Sequence, residues 1–413
     1  MAKHIFPKKL KQANMRSAEF ITLMAMLMAM NSLAIDIMLP SLPEIAKTLH
    51  VVSENDRQHV ISFYLIGFGI AQLFYGPFSD RFGRKVVILT GLYIYMLSSI
   101  TVLAVDSFTE LLILRFIQGI GAAATRVITV SIIRDLYHGK EMAKIMSITI
   151  MLFMAMPILA PVIGQSIILI TNSWYWIFIS MAIIISILIL WCSLRLPETL
   201  DPKDRRPLNF ISVAEGLVSI FKNRLAIFYT LANSLILGSL LGFVSTSQQI
   251  YTEVYDLGVL FPLAFAIGGV SISIASLINS RLVEHLGARL VSHLAMISFV
   301  GITSLWFLIQ ISEPTPMNIV IFISFFFLAT FNFALMNSNF TSICMEPFPN
   351  LAGMAASIFG FINTIASTII SVIIGQFYNK TTLPIVTSYF IISIITLFLV
   401  LFAEKGKLFK HSR

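Results

Sequence analysis

Between residues 19 and 403 the sequence repeatedly enters apolar runs of about 20 residues, the length an α-helix needs to cross roughly 30 Å of hydrocarbon. Twelve such runs fall at 19–40, 59–79, 86–105, 111–133, 142–169, 173–195, 224–246, 257–280, 289–311, 317–342, 352–377 and 384–403. A bilayer is the one solvent that accommodates them all. Of the 413 residues 57% are hydrophobic and 12% charged, whereas a soluble domain carries about 25% charged residues. A soluble fold would need a core holding most of the side chains, which surface-to-volume scaling does not permit. The two cysteines, Cys192 and Cys344, lie far apart inside apolar runs, so neither a disulfide framework nor a CxxC metal site is predicted. Residues 1–35 have the basic front and apolar body of a signal peptide. The run continues through Asp36 to Pro40 without a small-residue cleavage site, so a retained first helix is expected.

The net charge of +8 reads as nucleic-acid binding or as membrane topology, and the positions of the charges decide. Of 28 Lys and Arg, 23 fall in the tails and alternate loops on the side of the N-terminus, as in Arg81, Arg84 and Lys85, in Arg134, Lys140 and Lys144, and in Lys203, Arg205 and Arg206. The opposite set holds Lys47, Arg57 and Lys380, and Arg115 and Arg126 lie within a run. This asymmetry predicts that both termini are cytoplasmic. It leaves no role for nucleic acid.

One long polar interruption, 196–223, divides the runs six and six. The expected division is a tail (1–18), a six-helix bundle (19–195), a cytoplasmic linker (196–223), a second six-helix bundle (224–403) and a tail (404–413). Within the linker, 208–221 alternates apolar and polar residues as an interfacial helix does. Asp80-Arg81-Phe82-Gly83 after the second run is echoed 204 residues later by Glu284-His285-Leu286-Gly287 after the eighth. Together these predict an all-α membrane protein of twelve helices in two pseudo-symmetric bundles.

The most specific string is Gly76-Pro77-Phe78-Ser79-Asp80-Arg81-Phe82-Gly83-Arg84-Lys85. Gly76 permits close helix approach and Gly83 a tight reversal, while the basic residues suit an anionic inner leaflet. The string resembles the G-x-L-a-D-r-x-G-r-k loop of the major facilitator superfamily. Arg115-Phe116-Ile117-Gln118-Gly119-Ile120-Gly121-Ala122-Ala123 is similar to a stretch of its proton-coupled members. Pro157-Ile158-Leu159-Ala160-Pro161-Val162-Ile163-Gly164-Gln165 resembles the G-P-x-x-G-G helix of its antiporters, departing from it at Ala160 and Gln165. Asp36 through Pro43, Arg134-Asp135-Leu136-Tyr137, Pro197-Glu198-Thr199-Leu200 and Phe348 through Ser357 resemble the bicyclomycin/chloramphenicol-resistance (Bcr/CflA) subfamily. The resemblance implies a multi-pass protein of the bacterial inner membrane. It further implies proton-coupled efflux of small molecules, with Gly76, Asp80, Arg81, Gly83, Arg84, Arg134 and Asp135 forming a conformational-switch loop. Pro157, Pro161 and Gly164 would mark the antiporter helix.

The residues themselves single out Asp36, the one acidic residue well inside a run. A carboxylate at membrane depth is costly and a proton removes the cost, so it is a proton-carrier candidate; the competing reading is a capping carboxylate near the end of the first run. Arg115 lies at matching depth in the fourth run, and as a permanently charged group is expected to set the proton affinity of Asp36. Arg126 follows Arg115 by eleven residues, about 20° beyond three full turns, so the two share a face. Arg126 reads either as a snorkelling side chain or as a cation that binds an anionic substrate. Asn31, Asn233, Asn332 and Asn337, with Asn339, are candidates to hydrogen-bond substrate or to join helices. His285 and His293 are not read as a metal pair. No cofactor or metal is expected, the partners are protons, a small molecule and lipid, and one subunit suffices for a complete path. Motifs of proteases, hydrolases and ATP-driven pumps are absent from the sequence, so no enzyme is expected. The alternative to efflux is proton-coupled import of an organic anion or peptide.

Overall fold

The computed structural model describes residues 7, 9–10, 15–208, 210–312, 316–349 and 352–409. Lys3, Lys8, Lys11, Lys410 and Arg413 of the tails, and Asn350 and Leu351, lie outside them. Among the described residues there is no β-strand, and twelve helices are long and apolar enough to span a membrane. Lipid offers no partners for backbone polar groups, which leaves continuous helix as the economical way across.

The chain divides into two units. Unit 1 contains α1 (Ser17–Asp36), α2 (Leu42–Thr48), most of α3 (His59–Phe82), α4 (Arg84–Thr101), α5 (Phe108–Leu136), α6 (Gly139–Met154), α7 (Met156–Thr171) and α8 (Tyr175–Arg195). Unit 2 holds most of α9 (Phe210–Lys222), then α10 (Arg224–Gln249), α11 (Phe261–Leu286), α12 (Ala288–Ser312), α13 (Ile319–Met345), α14 (Ala352–Gln376) and α15 (Leu383–Ala403). Residues 51–62, including the first residues of α3, group with unit 2, although the sequence reads the whole of 19–195 as one bundle. The helix ends are set locally. Ser107 and Glu110 form a reciprocal capping box at the start of α5, Asn223 caps α10 and Asn318 caps α13, each satisfying an orphan backbone donor.

The neighbour scheme repeats. In unit 1 α4 packs against α5 and α8, and α1 against the α6/α7 pair; in unit 2 α12 packs against α13 and α15, and α10 against α14. The four-residue echo is conformational as well. Gly83 lies between α3 and α4 with φ 100° and ψ 155°, and Gly287 between α11 and α12 with φ 78° and ψ 155°. Both occupy the region open to a residue without Cβ.

Prolines shape two helix ends, one where the sequence reads the first run as ending and one where it leaves the fifth run open to a break. Pro40 does not close the first run. It sits in a 3-10 turn, Leu39–Ser41, and α2 carries the chain on to Thr48, because a proline at the first position of a helical turn lacks only an N–H that would be orphaned anyway. The fifth run breaks at Ala155, between α6 and α7, with Pro157 in the first turn of the second segment and Pro161 inside it. The amphipathic stretch of the linker is helix α9, which buries Ile220, brings Gly216 against Met354 and Ile358 of α14, and leaves Val218 and Phe221 exposed.

Candidate functional site

The polar residues at the end of α1 have no exposed neighbours, since residues 29–39 are buried without exception. Asp36, 6% exposed, is the last residue of the helix, and its carboxylate accepts a 2.7 Å hydrogen bond from Ser32 one turn earlier. Arg115 on α5 is fully buried. It donates to the carbonyl of Ala34 at 3.0 Å and to Oε1 of Gln118, and its guanidinium stands 4.6 Å from the centre of the Tyr64 ring. Gln118 in turn donates to Ser99 at 2.7 Å, and Tyr64 to Asn31 at 3.0 Å. The acid and the cation thus both engage the turn 32–36 of α1. Asn31 and Gln118 act here as links between helices. Gly164 of α7 completes the surroundings, because a Cβ there would come within 2.2 Å of the Ile37 carbonyl oxygen. α7 can pack this closely beside the aspartate only through glycine.

Arg126 differs from Arg115 despite sharing its face. It is exposed, and it has no hydrogen bond or ion pair with any described residue. In unit 2, Asn233 donates to Thr341 at 3.4 Å while its buried Oδ1 lacks a partner among the described residues. Such an orphan acceptor is what a substrate or a water can satisfy. Asn332 bonds back to Leu328 at 2.8 Å, Asn339 joins Asn279 of α11 at 2.8 Å, and Asn337 is half-buried.

The switch-loop residues converge on Arg84. Its guanidinium donates to Asp135 at 2.9 Å, to Ser79 at 2.6 Å and to Asp80. Ser79 itself donates to the Gly76 carbonyl at 3.0 Å. The carboxylate of Glu198 receives the backbone N–H groups of Arg84 and Lys85 at 3.0 and 3.1 Å, a negative charge on the N-terminus of α4 where the helix dipole favours it. Thr199 closes the ring on Asp135 at 3.1 Å. Three separate motifs of the sequence therefore form one cluster, while Arg81 and Arg134 stay exposed.

Two further networks, both in unit 2, escaped the sequence reading. Phe409 donates its backbone N–H to His293 Nδ1 at 3.1 Å, which places the ring proton on Nε2, facing the Tyr229 hydroxyl at 2.9 Å. Tyr229 donates to Glu404 at 2.9 Å, and Arg289 joins Glu404 and Glu346 at 3.1 and 2.7 Å. In the other network, Arg57, 5% exposed, pairs with Glu253. Beside them Gln58 donates to Gln249 at 2.6 Å, and Asn55 to the carbonyl of Tyr378 at 2.9 Å. Sequence offered only a weak signal for these, namely charged or amide side chains at run ends.

A family model described as Major Facilitator Superfamily matches residues 24–371. A bicyclomycin resistance protein homolog of Haemophilus influenzae is 28% identical, over 88% of this chain and 91% of its own. Multidrug resistance protein D of Escherichia coli is also 28% identical, over 86% of this chain and 88% of its own. Among solved structures, a D-xylose-proton symporter superposes with a TM-score of 0.70 at 18% identity, over 94% of this chain and 98% of that one. At that identity the likeness is one of fold.

Proposed function

Because the chain belongs to the major facilitator superfamily, we propose that it is a proton-coupled antiporter exporting small molecules by alternating access, with Asp36 as the proton carrier. The observation that carries this reading is an aspartate enclosed at the end of α1, with one hydroxyl, Ser32, bonded to its carboxylate. An ionised carboxylate in such a place is expensive to keep and a proton relieves the expense, so proton uptake and release can be tied to which side of the membrane the site faces. Arg115 acts as the fixed cation that tunes this exchange, through its grip on the same turn of α1. The names of the relatives in Haemophilus influenzae and Escherichia coli support drugs or similar metabolites as cargo. The protein is a multi-pass membrane protein, and we place it as a monomer in the bacterial inner membrane with both termini in the cytoplasm.

The test is proton flux in liposomes holding the purified protein, with a pH gradient imposed and a panel of drugs added. Drug movement opposite to the proton flow, reduced to background by Asp36→Asn, is the expected result. Full pH-driven flux in Asp36→Asn would remove the aspartate from the mechanism. Cargo moving in the same direction as protons would favour import of an organic anion, a reading to which Arg126 lends the one specific observation.

A further inference from the structure

We infer that Arg126 is an anion-recognition site, and that the molecules carried include small compounds bearing a carboxylate or comparable oxyanion. This rests on the transport reading above and gives it a substrate class. Every other residue from Gln118 to Ile133 on α5 is buried or half-buried, yet Arg126 is exposed. The face it occupies is not the lipid face. On the same helix the exposed apolar residues are Ile113 and Ile117, and at 100° per residue they point about 140° and 180° away from Arg126.

The surroundings leave the guanidinium available. Arg115, on the same face, spends its donors on Ala34 and Gln118, whereas Arg126 has neither a hydrogen bond nor an ion pair among the described residues. The next polar group along the helix, the Thr129 hydroxyl, is buried and likewise has no partner among them. One turn earlier the side chains are those of Ala122 and Ala123, small enough to let a ligand approach. Arg126 lies ten residues before the end of α5, about 15 Å along the axis. A guanidinium never loses its charge under these conditions. At such a depth it calls for a counter-charge, and its planar fork matches a carboxylate through two parallel N–H donors. A phospholipid headgroup offers the same oxyanion chemistry, so the experiment separates the two sources.

The probes are aromatic carboxylates, each paired with its methyl ester, titrated onto the protein in phosphatidylcholine nanodiscs. Charge-assisted hydrogen bonds predict that at least one acid binds about tenfold or more tightly than its ester. Arg126→Gln should abolish that difference, and Arg126→Lys, which keeps the charge but not the fork, should retain part of it. Wild type failing to discriminate acid from ester, or Arg126→Gln discriminating as well as wild type, would overturn the inference. Repeating the titration with phosphatidylglycerol in the discs supplies the second arm. Persistent acid binding supports a small-molecule site, whereas loss in proportion to the added anionic lipid assigns Arg126 to a headgroup and overturns it. Binding is read without a pH gradient, so this result stands apart from whether export is proton-driven.

Discussion

Gly83 joins two demands that no other residue meets. Its φ of 100° lies where a Cβ collides with the backbone, and the Cβ would also fall 2.4 Å from Glu198 Oε2. Glu198 cannot simply withdraw, because it holds the backbone N–H groups of Arg84 and Lys85. Gly83→Ala should therefore destabilise unit 1 by about 1–3 kcal/mol, seen as a lower thermal midpoint in detergent. The same substitution at Gly287, whose φ is 78° but beside which nothing lies within 4 Å, should cost the backbone strain alone. A midpoint at Gly83→Ala no lower than at Gly287→Ala would show that the Glu198 contact carries no weight. Arg115 and Arg126 show the limit of reading residues from sequence. Their shared face follows from helical arithmetic, but which of them is satisfied depends on neighbouring helices whose rotation no spacing encodes.

Among the elements, those the bilayer dictates were legible and those that depend on inter-helix contact were not. Run length identifies a spanning helix because lipid leaves the backbone no alternative, and the amphipathic stretch of the linker is indeed helix α9. Pro157 and Pro161 mark 142–169 in the sequence as the run open to a kink or break, and the break falls at Ala155. The passage of the chain through Pro40 was not legible, since a proline that starts a helical turn and one that ends a helix look alike in sequence. Segment 51–62 is the larger surprise. Arg57 reads as a loop cation, yet it is paired with Glu253, with side-chain exposures of 6% and 28%. Removing one partner leaves a charge half-enclosed. Arg57→Ala and Glu253→Ala should each cost about 1–3 kcal/mol, below the figure for a fully buried pair because water still reaches the glutamate. In the double variant the loss should be smaller than the sum of the singles, a coupling that thermal midpoints of the four proteins measure. Strict additivity would mean that the pair does not hold this segment in place.

For the whole molecule, the recurrence of Gly83 and Gly287 at the same point of two similar neighbour schemes shows one plan used in both units, but orientation in the membrane rests on the charge count alone. Twenty-three basic residues on one set of loops against three on the other make a strong bias, and the side-chain chemistry of the chain makes it easy to check. Cys192 and Cys344 are both buried, so wild type should react little with a membrane-impermeant maleimide. Lys203 follows six spans and Lys380 follows eleven, which puts them on opposite sides of any bilayer the helices cross, and both are exposed. In intact spheroplasts Lys380→Cys should label and Lys203→Cys should not, and in inside-out vesicles the pattern should reverse. Labelling of Lys203→Cys in spheroplasts would invert the topology. Asp36 would then lie toward the cytoplasmic rather than the outer end of α1, and the order in which it meets protons during transport would invert with it.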